Sequence, residues 1–279
     1  MAIVTGLALA AGTYSCDKLE APYAEKKTGG DTTSGMVRKV LLEDYTGHKC
    51  VNCPSAAMTA HTIEAASNDR LIIIAVHAGY FATPSETGDF TADYRTSAGT
   101  EWNDAFGISG WPAGLINRRP YEGSTVLYDF GQWGNAINAQ LALPQEADLV
   151  IENDYDASTR DLTTTVSAKF LAILQGTYAV TVCITEDSIS SPQKNNDTLV
   201  GTVPIIYDYI FMDMLRSNLN GTWGEVLTGS VDTSLTYTRS YSMTLDAAWT
   251  AKNCHIVAFV SNTETKEIIQ AEKKGIAEE

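Results

Sequence analysis

The sequence is short of base. Nineteen Lys and Arg stand against thirty-four Asp and Glu, for a formal net charge of −15. A chain that cannot present a cationic face does not neutralise phosphates, so no nucleic-acid partner is expected. No apolar run reaches 18 residues, which excludes a multi-span helical membrane protein. Five cysteines in 279 residues are too few for a scaffold built on disulfides. There is one CxxC, with no second CxxC and no HxxxH to complete four zinc ligands. The residue after its second cysteine is proline rather than histidine, which excludes covalent haem. No metal and no cofactor is expected.

What is present reads as globular protein: 44% hydrophobic and 19% charged residues. The length suits two domains. The acid is concentrated late, with nineteen acids and nine bases in 143–279 against eleven and seven in 36–142. That bias favours solubility.

Residues 2–12 (AIVTGLALAAG) are small and apolar, too short to span a bilayer, and run into Thr13-Tyr14-Ser15-Cys16. A short apolar stretch ending in a small residue reads as a secretory signal. The cysteine directly after Ser15 resembles a bacterial lipoprotein cleavage site, in which Cys16 becomes the lipid-bearing first residue. The other reading is an ordinary N-terminal segment with a free thiol. Residues 17–35 (DKLEAPYAEKKTGGDTTSG) are polar with Gly, Pro and Thr and read as a tether.

The run Val37–Asp44 is rich in branched apolar residues and predicts a buried strand. Residues 55–67 (SAAMTAHTIEAAS) are alanine-rich without Gly or Pro and predict a helix. Leu71–His77 (LIIIAVH) predicts a second buried strand. Strand, helix, strand in that order is a parallel βαβ unit. Cys50 and Cys53 fall at its first turn. A thiolate is the nucleophile of disulfide exchange, and the free N–H groups and dipole of a helix N-terminus stabilise one. Three-residue spacing brings both sulfurs to one face. Pro54 falls in the first turn, where its missing N–H costs little. Three readings stay open for the pair: redox exchange, a structural disulfide, and half of a zinc site. His48, two before Cys50, either raises thiolate content or faces solvent in the loop. His77 reads as a hydrogen-bonded strand end, His61 as an ordinary helix residue, and Asp44 either ends its strand or serves the cysteines.

Downstream, Phe106-Gly-Ile-Ser-Gly-Trp111-Pro112-Ala-Gly-Leu-Ile-Asn117 sets a proline after a Gly-containing turn and before an apolar strand, which suits a cis Trp111–Pro112 bond. Trp102 and Phe106 share a helix face and read as core. Phe130, Trp133, Ile137 and Leu141 keep helical spacing over 129–142. A CxxC on a strand–helix turn followed by apolar-Pro-strand resembles the thioredoxin fold. That resemblance implies that Pro112, with Trp111, docks the substrate chain opposite the CxxC, and that Asp44 is the buried acid exchanging a proton with Cys53. Lys49 stands where that family has Trp. More narrowly, EDYTGHKCVNCP, HAGYFA, GISGWPAGLINR, CDKLEAPY and RSNLNGTWGE together resemble the 28-kDa outer-membrane lipoprotein family of Bacteroides-type bacteria. The resemblance implies an outer-membrane protein, lipid-anchored on the periplasmic or surface face, with no settled activity.

Leu143-Pro144 reads as a boundary. Beyond it the pattern turns to period two over 163–170, with further strands at Tyr178–Thr185 and His255–Ser261. Residues 207–219 fit strand and helix alike. The expected architecture is an α/β thioredoxin-like domain over 36–142 followed by an all-β sandwich domain over 143–279. Cys183 and Cys254, both in predicted strands, either pair as a structural disulfide or are small buried hydrophobes. Neither a P-loop nor a Ser-His-Asp order occurs in this half. Two functions follow. One is an envelope thiol–disulfide oxidoreductase acting on exported proteins or peptides, with Cys50 attacking and Cys53 resolving. The other is a surface interaction protein, adhesin-like, whose second domain binds a ligand and whose first is scaffold.

Overall fold

The computed structural model describes residues 37–228 and 231–277. Cys16 and the 17–35 tether lie outside the described residues. The branched run forms β1 (Val40–Thr46), the alanine-rich segment forms α1 (Cys53–Ala66), and β2 (Leu71–His77) returns parallel to β1, with Asp44 opposite Ala75. α2 (Ser97–Ala105) follows, its N-terminus capped by the Thr96 hydroxyl, which accepts from the Gly99 N–H at 2.9 Å. β3 (Ala113–Ile116) lies antiparallel to β1, and α3 (Trp133–Leu141) covers it. Because side chains alternate along a strand, Val40 and Leu42 face Ala56 and Ala60 of α1 and Trp133 and Ile137 of α3. Leu41 and Tyr45 face the other way, onto Trp102 of α2.

After α3 the structure is almost wholly strand: β4 (Ala147–Asp156), β5 (Asp161–Phe170), β6 (Tyr178–Glu186), β7 (Ile189–Lys194), β8 (Ile205–Phe211), β9 (Met214–Asn218), β10 (Glu225–Thr228), β11 (Thr236–Thr244), β12 (Cys254–Asn262) and β13 (Ile268–Gly275). The ambiguous stretch 207–219 is therefore strand, broken at Asp213, whose φ is 53°. β11, β5 and β4 form a three-stranded sheet. Its inner residues Leu149, Leu162, Val166 and Phe170 pack on Val180, Val182, Ile256 and Val260 of β6 and β12, giving two facing sheets over one core.

The expected division at Pro144 does not occur. The described residues form a single compact unit, and one sheet runs in the order β13-β12-β6-β9-β2-β1-β3, with β10 on β6. The junction is narrow: Ala75 of β2 pairs with Met214 of β9, and its N–H donates to the Asp213 carbonyl at 2.8 Å. Behind it the core is shared, since Leu41, Tyr45, Ile74 and Trp102 pack with Cys183, Leu215, Val257 and Phe259. Within that core Arg118 donates to both oxygens of Glu43, Nε at 2.8 Å and Nη2 at 2.7 Å, with both side chains at most 1% exposed. The guanidinium lies 5.0 Å from the Trp102 ring and 5.1 Å from that of Phe259, one from each side of Pro144.

Cys183 and Cys254 are both free and buried. Register explains why they do not pair. Val257 is opposite Cys183 and Cys254 is opposite Glu186, three residues along β12, so the two sulfurs leave opposite faces of the sheet. Cys183 joins the shared core and Cys254 the two-sheet core.

The buried pair sets a stability test. Arg118→Ala strands the Glu43 carboxylate in the core and should cost about 3–5 kcal/mol. Glu43→Leu combined with Arg118→Met removes both charges and should recover most of that loss. Urea unfolding of the three proteins checks this; a double variant as unstable as Arg118→Ala would show that lost shape, not stranded charge, sets the cost.

Candidate site at the CxxC turn

Cys50 lies in the turn after β1 and Cys53 is the first residue of α1; they are disulfide-bonded, with Cα atoms 5.4 Å apart. The turn closes through the Cys50 N–H donating to the Gly47 carbonyl at 2.9 Å. Gly47 is required by a close approach, because a Cβ there would meet the Phe81 carbonyl carbon at 2.5 Å. The Lys49 N–H donates to the Phe81 carbonyl at 3.1 Å. The loop after β2 is thereby held against the loop after β1. The Trp111–Pro112 bond is cis, and Pro112 is buried. Tyr45 is opposite Ala113, so Pro112 enters the sheet level with Thr46, where β1 runs out toward Cys50. The Trp111 ring fills the space over Gly79 and meets Phe81 edge-on at 5.9 Å. Three loops, 47–50, 79–83 and 110–112, thus converge at one end of the sheet.

Asp44 is buried on the α1 side of β1, and its Oδ1 has no hydrogen-bond partner among the described residues. Burial pushes its carboxyl up to about 7, against the opposing pull of His61. Asp44, Ala75 and the Asp213 carbonyl form one row across the sheet. His61 Nδ1 is 3.2 Å from Glu64 Oε2 and 3.8 Å from Asp213 Oδ2. Burial lowers the His61 pKa, but the Glu64 hydrogen bond and the Asp213, Glu64 and Asp44 charges outweigh it and raise the value overall. His61, Glu64 and Asp213 set one ligand atom each within 4.8 Å of one another, a geometry that could hold a divalent cation. Lys273 donates to Asp213 Oδ1, so a positive charge is already supplied there. The sequence gives His61 as an ordinary helix residue; nothing local announces Asp213 or Lys273, which come from far along the chain.

His48 is not a solvent-facing loop residue. It is 1% exposed and packs on Phe90 and Tyr94, with ring centroids at 5.4 and 6.0 Å. Burial, then the Lys49 charge, lowers its pKa to about 4. His77, expected as a hydrogen-bonded strand end, has neither ring nitrogen partnered among the described residues and meets Tyr94 and Phe211 edge-on, with ring centroids at 5.4 and 5.3 Å. Burial first, then His48 and Arg216, lowers its pKa to about 3.

The cysteines themselves are covered. Cys50 and Cys53 are each 2% exposed, because residues 193–197 cross the turn. Gln193 Nε2 donates to the Cys50 carbonyl at 2.8 Å, the Lys194 N–H to the His48 carbonyl at 2.9 Å, and the Asn196 N–H to the Val51 carbonyl at 3.3 Å. Asn196 Nδ2 donates to Asn52 Oδ1 at 2.7 Å, and the Ser55 hydroxyl to Asp197 Oδ2 at 3.0 Å. Sequence reasoning missed this segment entirely. Its only local signal is a polar, amide-rich stretch between two short strands.

The titrations differ in sign. Asp44 has a folded pKa above its unfolded one, so its cost to folding is absent below about pH 3.8 and complete above about pH 7. His48 and His77 have folded values below 6.5, so their neutral burial costs nothing above pH 6.5 and is penalised as pH falls toward 4 and then 3. Asp44→Asn should therefore gain stability over wild type at pH 8, on the order of 4 kcal/mol at about 1.4 kcal/mol per pKa unit, and little at pH 4. His77→Phe should flatten the acid side of the profile between pH 6.5 and 4. Unfolding free energies across pH 4–8 check both; parallel profiles for wild type and Asp44→Asn would refute the buried-acid assignment.

Among the described residues no helix is long and apolar enough to cross a membrane, which leaves strands untested. No curated protein matches the chain. A protein of Agrobacterium tumefaciens shares the fold, with TM-score 0.52 and 13% identity over 87% of this chain and 96% of that one. A domain of the outer membrane lipoprotein Omp28 from Porphyromonas gingivalis matches over 48% of this chain and 90% of its own, at 19% identity and TM-score 0.33. The family model described as outer membrane protein Omp28 matches residues 100–279. With that match covering more than half of its length, the chain belongs to the Omp28 family of outer membrane proteins.

Proposed function

We propose that the protein is a lipid-anchored envelope thiol–disulfide exchange protein with a thioredoxin-like first half. The observation that carries the exchange reading is the Cys50–Cys53 disulfide at the head of a helix, above a buried carboxyl pushed up to about 7. The parallel β1-α1-β2 unit, antiparallel β3 and the cis Pro112 loop at the same sheet end support the thioredoxin-like reading.

In the reduced protein the Cys50 thiolate attacks one sulfur of a substrate disulfide. A mixed disulfide forms and one substrate thiolate leaves. Cys53 then gives its proton to the Asp44 carboxylate and attacks Cys50 Sγ. The internal disulfide re-forms, and the second substrate thiolate leaves. The substrate gains two electrons and the cysteine pair loses two; in reverse, the disulfide oxidises a substrate dithiol. An acid near pKa 7 accepts and returns that proton at neutral pH with little penalty in either direction. The class of substrate is an exported protein or peptide. Trp111 and Pro112 line the end of the sheet where its chain would dock.

Burial of both sulfurs favours a second reading, in which the disulfide is structural and the protein is a surface interaction protein whose later half binds a ligand. Trapping decides between them. Cys53→Ser should accumulate mixed disulfides in cell envelopes and Cys50→Ser should not. If neither variant traps a partner and the wild type leaves a model disulfide untouched, the second reading holds.

The family's outer-membrane location and the apolar stretch before Cys16 support the anchor. Expressed in a lipoprotein-processing host, wild type should partition into detergent and Cys16→Ala into the aqueous phase; equal aqueous partitioning would remove the anchor.

A further inference from the structure

We infer that the carbonyl edge of the CxxC loop is a docking edge for an extended polypeptide, and that residues 193–197 occupy it in cis while the disulfide is intact. This rests on the exchange reading for its biological purpose but not for its test. Three acceptors define the edge: the carbonyls of His48, Cys50 and Val51. Two of them are filled by main-chain N–H groups, of Lys194 and Asn196, two residues apart on one extended segment. Alternate N–H groups of an extended chain point the same way, so this pattern belongs to any extended peptide and owes nothing to the side chains of Lys194 and Asn196. The third is filled by the primary amide of Gln193.

The covering segment is built to leave. β7 and β8 pair with each other and with no other strand among the described residues, and a lone two-stranded hairpin is marginal in water. Its apolar anchor is small: Ile189, Ile206, Tyr209 and Phe211 pack with Tyr94 and Met214, and Lys194 lies over the Phe90 ring. Its far end carries Leu199, 86% exposed. Between these, the segment is held to the CxxC turn by the polar contacts described above, each of which water can replace at small net cost. Along its outer edge an open cleft of about 480 Å³, lined by Ser55, Met58, Thr59, Phe130 and Thr198 among others, leaves it unpacked on that side. Exchange requires a thiolate to reach a sulfur, and with both cysteines only 2% exposed the cover leaves little room for that approach. A substrate strand that takes the vacated carbonyls offsets the bonds lost on opening. A polypeptide substrate would therefore open the site more readily than a small thiol does.

The oxidised full chain tests this. Gln193→Ala with Asn196→Ala removes the two amide anchors. Its disulfide should be reduced by dithiothreitol at least tenfold faster than that of wild type, while Tyr207→Ala, elsewhere on the hairpin, should leave the rate unchanged. Carboxymethylated, unfolded ribonuclease A, which has no free thiol, should bind the double variant at least tenfold more tightly than wild type by fluorescence anisotropy. In wild type the Lys194 and Asn196 amides should exchange with deuterium at least a hundredfold faster than those of β6, a readout that does not depend on the variant folding. Equal reduction rates, or protection at 194 and 196 equal to that of β6, would overturn the cis cover. Faster reduction without tighter polypeptide binding would overturn the docking edge. A variant that is reduced faster and binds the polypeptide yet exchanges no substrate disulfide would leave the edge standing and remove the exchange reading instead.

Discussion

Two adjacent buried carboxyls on β1 constrain the rest of the molecule, because burying a carboxylate costs several kcal/mol unless it is paired or protonated. Glu43 and Asp44 point to opposite faces of a strand covered on both sides. Glu43 is answered by Arg118, whose two hydrogen bonds match the carboxylate fork. Arg118 in turn needs a cage of aromatic faces to replace its lost hydration, and that cage draws on Trp102 and Phe106 before Pro144 and Trp223 and Phe259 after it. One charge on one strand therefore requires both halves of the chain. Asp44 Oδ1 has no partner among the described residues; burial raises its carboxyl to about 7, so it meets burial by taking up a proton near neutral pH.

The same crossing of halves builds the site. β1, α1, β2 and the 110–112 loop supply the disulfide and its surroundings, but the later half supplies Gln193, Asn196 and Asp197 over the sulfurs and Asp213 beside His61. A first half cut away at Pro144 would expose Cys50 and Cys53 and, with them, the apolar face of Leu41, Tyr45 and Ile74. Burial of the disulfide is a property of the whole fold, not of the CxxC turn.

How much of this the sequence carries depends on the range of the signal. β1, α1 and β2 are legible because a branched run, an alanine-rich stretch and a CxxC between them are all local. The cis Pro112 is legible from Gly-Trp-Pro before an apolar strand. The strands after 144 are legible from alternation, but their partners are not, since period two reveals which face a residue takes and not which sheet it joins. Thus Cys183 and Cys254 look like a pair until the register with β12 sends them to opposite faces. The boundary at Pro144 misleads because the change of pattern there is real, while the sheet is rejoined through Ala75 and Met214, a contact across 139 positions with no motif on either side. Arg118 and Gln193 are ordinary polar residues in sequence; only their burial identifies them.

The burial of His48 carries a further consequence for the chemistry. An imidazolium beside a CxxC is the usual means of lowering a thiol pKa, but a histidine pushed down to about 4 is neutral at physiological pH and contributes no charge to Cys50. The Lys49 ammonium group is 5.9 Å from the Tyr80 ring, drawn toward that face. What remains is the helix itself. Asn52 stands at the N-cap of α1, where its carbonyl accepts from the Ala56 N–H, but its side chain does not cap the helix and accepts from Asn196 instead. The first-turn N–H groups of this 14-residue helix thus receive no side-chain cap from Asn52. Opening the 193–197 cover also frees the Asn52 side chain to cap that turn. The side-chain amide that receives the cover is therefore the same one that would otherwise cap the helix, so the cover and the helix end compete for a single residue.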